Sequence, residues 1–76
     1  MNIEIFFKEK DLPSKQWEIK DKENNLHIID TEAVIKFLIA NPNEQIKETI
    51  RKIDIMNGDF YPFLLHIAKF MVEQNG

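Results

Sequence analysis

MNIEIFFKEK, Met1 to Lys10, is the stretch on which the fold turns. Ile3, Ile5 and Phe7 fall on one side of an extended chain, with Asn2, Glu4, Phe6 and Lys8 on the other. That alternation is the period of a strand with one buried face, and it predicts a first strand over Asn2–Lys8. Phe6 then stands as an aromatic between Glu4 and Lys8 on the outer face. The following KEKDLPS breaks the pattern, because Pro13 has no N–H to donate to a sheet ladder.

Working outward, QWEIK alternates again, Trp17 and Ile19 against Gln16, Glu18 and Lys20. Trp17 reads as a core side chain beneath the helices. After the polar turn DKENN comes the β-branched run LHIID, which can pair back on its predecessor. The expectation is a three-stranded antiparallel meander.

The remainder reads as three helices, near Thr31–Ala40, Asn43–Met56 and Phe60–Gln74. Asp30 or Thr31 can cap the first. For the second, Asn41 is placed to cap, Pro42 to occupy the first helical position, and Glu44 to complete a capping box. Ile46, Ile50, Ile53 and Met56 line its apolar face. Gly58 is the expected left-handed stop, and Asp59 caps the third helix with Pro62 in its first turn. The fold class expected is α+β, a three-stranded antiparallel meander followed by three helices packed on one face of the sheet. Residues 1–76 read as one small domain.

Composition narrows the functions. The chain has 76 residues, no cysteine and a formal charge of −3. So short a chain buries only about 60% of the surface it exposes when unfolded, which leaves little room for an elaborate internal site. Without cysteine there is no disulfide, thiol nucleophile or thiolate metal site. MNIEIFFKEK carries no basic leader, and AVIKFLIA and FLLHIAKFMV are interrupted by charge well short of the ~20 apolar residues that span a bilayer. A soluble, cytoplasmic protein without membrane contact is expected.

Ile53–Phe70 has the outline of a helix-turn-helix. A reading helix carries polar groups toward base edges, whereas Phe60, Tyr61, Pro62 and Phe63 stand there. The acidic balance also opposes a polyanion, so no nucleic-acid partner is expected. His27 and His66 have no visible catalytic partner, and zinc requires three or four ligands. The only glycines are Gly58 and Gly76, which leaves no phosphate loop. No catalytic residue, cofactor or metal site is expected.

One feature is in excess. On the third helix His66, Lys69 and Glu73 form a narrow polar stripe, and the apolar residues spread over an arc of roughly 220°. With the core face centred on Phe60, Leu64, Ile67 and Met71, a margin of Tyr61, Leu65 and Val72 is left over. That margin and Phe6 are the candidate interface. The function expected is a non-enzymatic protein-interaction module, with a homodimer as its simplest form. The rivals are a nucleic-acid-associated or transcriptional regulator using 53–70 and, less readily, a small enzyme or ligand carrier.

Overall fold

The opening stretch is a helix, not a strand. In the computed structural model, which describes residues 1–75, the elements are α1 (Ile3–Lys10), β1 (Gln16–Lys20), β2 (Leu26–Asp30), α2 (Thr31–Ala40), α3 (Glu44–Ile55) and α4 (Tyr61–Asn75). The class is α+β, but with a two-stranded antiparallel sheet and four helices in place of a three-stranded meander and three helices.

The physical reason lies in which residues the two periods share. Ile3 and Phe7 suit a strand at i, i+4 and a helix equally well, and eight residues are too few to separate them. Capping and Phe6 tip the balance. Asn2 Oδ1 accepts the Ile5 amide at 3.0 Å, and Glu4 in the first turn with Lys8 and Lys10 in the last complement the helix dipole. Phe6 sits edge-on to Phe7 and Phe60, with ring centroids 5.2 and 5.6 Å away. Ile5, which a strand would bury, is 53% exposed. Asp11 ends the helix in the left-handed region at φ 50°.

β1 and β2 form a hairpin in which Gln16 lies opposite Asp30 and Lys20 opposite Leu26. The hairpin leads directly into α2, whose cap is Asp30, accepting the Ala33 amide at 2.8 Å. Thr31 is buried for another purpose. Its hydroxyl accepts the Lys15 amide at 2.9 Å, and its own amide donates to the Lys15 carbonyl at 2.8 Å. The entry to β1 is thereby fastened to the start of α2.

Both expected punctuation marks around α3 are displaced. Asn43, not Asn41, is the N-cap, its Oδ1 accepting from Gln45 and Ile46. Asn41 instead closes α2, its side chain donating to the Phe37 carbonyl. Asn43 wins because its extended backbone leaves the carboxamide facing the free amides of the first turn. At the other end Asn57, not Gly58, takes the left-handed conformation, at φ 55°. Asn57 donates to Asp54 and Gly58 to Ile53, the paired bonds of a Schellman turn.

Asp59 accepts the Tyr61 amide and starts α4. α4 is the central element, packed against α2 and β1. Phe60 and, on α4, Leu64, Ile67, Ala68 and Val72 join Val34 and Leu38 of α2, Ile50 of α3, Ile3 and Phe7 of α1 and Ile19 of β1 in one core. Burial from several directions explains the wide apolar arc. No helix among the described residues is long and apolar enough to cross a membrane.

Candidate interaction surface

Four consecutive residues of β1, Trp17 to Lys20, line one groove of about 400 Å³, and its opposite wall is Leu65, Lys69, Val72 and Glu73 of α4. Successive side chains of a strand point to opposite faces. A groove that meets all four therefore runs along the edge of the strand. The other edge of β1 is occupied by β2, so this is the free one.

The hydrogen-bond parity of the hairpin shows what that edge offers. Thr31 donates to the Lys15 carbonyl and Asp21 donates to the Asn25 carbonyl, so the hydrogen-bonded pairs of the ladder fall on the odd residues of β1. The backbone groups of Gln16, Glu18 and Lys20 consequently point away from β2. Among the described residues no group donates to or accepts from them. The same three side chains are exposed. The floor of the groove is apolar, from half-buried Trp17 and Leu65 and buried Ile19 and Val72, and its rim carries Lys69 and Glu73.

Of the four residues singled out from the sequence, Leu65 and Val72 come together in this groove. Val72 is 2% exposed and belongs to its floor. Tyr61, on the same flank of α4, is half-buried; its hydroxyl donates to the Pro13 carbonyl at 2.6 Å and Lys15 Nζ lies 3.9 Å from its ring centroid. Phe6 is elsewhere, half-buried on α1 against Phe60.

Other grooves among the described residues differ in kind. One of about 490 Å³ lies between α1 and α2, floored by Phe7, Leu12, Ile35 and Ile39. One of about 410 Å³ is lined by Phe37, Ile46, Phe63, Ile67 and Phe70. A smaller one of about 220 Å³ lies by the α1 N-terminus. Helix and loop residues line these and none of them borders β1 or β2, so they offer no unpaired strand edge.

The histidines do not meet. His66 borders the phenylalanine groove, whereas His27 Nε2 is 2.8 Å from Asp21 Oδ2 in the hairpin. Asp21 Oδ1 accepts the amides of Glu23 and Asn25, both at 2.9 Å. The hydrogen bond to His27, followed by that from Asn25, holds the Asp21 carboxyl below the usual aspartate range. This pair escaped the sequence reading. The signal for it was an aspartate opening a polar turn, where a carboxylate habitually bonds the amides two residues or more ahead. Its carboxylate is used in shaping the turn, and neither residue lines one of the four grooves. Among the described residues no group of three or more His, Asp or Glu is placed to hold a metal ion.

Comparison with known families, with curated proteins and with solved structures finds no match to this chain.

Proposed function

We propose that this chain is a non-enzymatic protein-interaction module that receives an extended segment of another polypeptide in the groove between β1 and α4. The observation that carries the reading is the groove itself, where an unpaired strand edge and an apolar trough lie side by side. Strand addition needs both: outward N–H and C=O groups give affinity, and a trough beside the edge takes every second side chain of the guest. Gln16, Glu18 and Lys20 supply the first, and Trp17, Ile19, Leu65 and Val72 the second. An exposed edge left open is also a standing hazard of unwanted pairing, and a native partner removes it.

The test places a photo-reactive side chain at Lys69, on the rim, in the full chain expressed in cells. The expected result is an adduct with a second polypeptide, several-fold stronger than from the same group at the exposed Lys36 of α2. It should disappear in Leu65→Lys, which puts charge in the trough, and in Glu18→Pro, which removes an outward N–H without touching the pairing to β2. Chemical shifts establish that each variant is folded. Equal adducts from both positions, or an adduct that survives in both folded variants, would overturn the reading.

A further inference from the structure

The geometry points to β1 of a second copy of this chain as the occupant of the groove, an inference that rests on the strand-addition reading above. Two copies related by a two-fold axis normal to the sheet pair their β1 edges antiparallel, with one surface serving both. The product is a four-stranded sheet in the order β2-β1-β1-β2, with both α4 helices on one face.

Charge selects the register. Only the even residues of β1 present outward backbone groups, so they must form the hydrogen-bonded pairs across the axis, at Cα separations of about 5.5 Å. With the axis at Glu18, that residue faces its own copy, and like charges directly opposite are destabilising. With the axis at Trp17, Glu18 faces Gln16 and Lys20 runs past the strand to Ser14, which leaves both charges without opposite partners. With the axis at Ile19, Glu18 of each copy faces Lys20 of the other. That register forms two opposite-charge pairs and four backbone hydrogen bonds, and brings Ile19 against Ile19 on the inner face. The sequence W-E-I-K is thus complementary to itself when reversed. Half-buried Trp17 and Leu65 lie beside this seam.

Sedimentation equilibrium of the full chain, from about 1 μM to about 1 mM, tests the pairing. The wild type should pass from the mass of 9.0 kDa to twice that value. Glu18→Lys and Lys20→Glu, each at an exposed position, should weaken self-association at least tenfold, roughly the effect of two like-charge contacts per dimer. An equimolar mixture of these two variants should dimerise again, because one chain then carries two bases along the seam and the other two acids. In the dimer the amides of Glu18 and Lys20 should exchange with solvent slowly. A wild type that stays monomeric throughout, or a dimer that the mixture does not restore, would overturn self-pairing. Adducts from position 69 separate this failure from that of the broader reading. If they join a different chain, strand addition survives and the second copy is excluded; if they join no chain, both fall.

Discussion

The carboxylate of Asp21, the first residue of the hairpin turn, and the imidazole of His27, the second residue of β2, lie 2.8 Å apart and close the hairpin. Asp21 also accepts two turn amides, so one side chain braces the turn that joins the strands. Its carboxyl titrates below the usual aspartate range. A depressed folded value means that the stabilisation is complete above the unfolded aspartate value and is lost as pH falls through the folded one. Asp21→Ala should therefore unfold at lower denaturant than wild type near neutrality, and the two midpoints should converge below about pH 4. A gap that stays constant down to the acid limit would mean that the turn is held by something other than the ionised carboxylate.

Ile3 and Ile5 distinguish the two readings of the first segment. A strand buries both, whereas α1 buries Ile3 and exposes Ile5. Ile3→Ala should cost about 2–4 kcal/mol in urea unfolding, and Ile5→Ala should stay within about 0.5 kcal/mol. Equal losses would return the segment to the sheet.

The Thr31 hydroxyl is the hydrogen-bond acceptor for the Lys15 amide in a buried position. Thr31→Val keeps the shape but leaves that amide unpaired, at a cost of about 1–3 kcal/mol. Thr31→Ser keeps the acceptor and loses one methyl, about 1 kcal/mol. If valine proves the milder change, the hydroxyl is not what fastens β1 to α2.

At the α3–α4 corner the left-handed residue is asparagine, and glycine follows it. Asn57→Val should cost about 1–2 kcal/mol, because a β-branched side chain is strained at φ 55°. Gly58→Ala should be nearly neutral, within about 0.5 kcal/mol, since a Cβ there meets Ile53 Cγ2 at an ordinary 3.4 Å. The reverse order in thermal melts would move the left-handed position to Gly58.

The sequence by itself showed the hairpin strands and the three later helices, the last two with ends one residue away from the observed ones. Gln16–Lys20 and Thr31–Ala40 were readable to the residue, the one from its alternation and the other from its cap and apolar face, while LHIID was legible as a β-branched run whose pairing only the structure gives. Local signals failed where two answers satisfied them equally. Ile3 and Phe7 fit both periods, and the aromatic contact that covers Phe6 in the helical form comes in part from Phe60, more than fifty residues away. Asn41 read as the cap of α3, but the end of α2 claims it and the capping falls to Asn43. The margin of Tyr61, Leu65 and Val72 was visible as surplus, but what it faces was not. Helical periodicity shows that a face is apolar and says nothing of which element lies opposite. The tertiary structure turned Leu65 and Val72 toward β1 and Tyr61 toward Pro13, and the register of the hairpin sent the amides of Glu18 and Lys20 outward beside the first two. Neither the edge nor the trough exists in either segment alone, because a groove is a distance between elements and a sequence specifies only the elements.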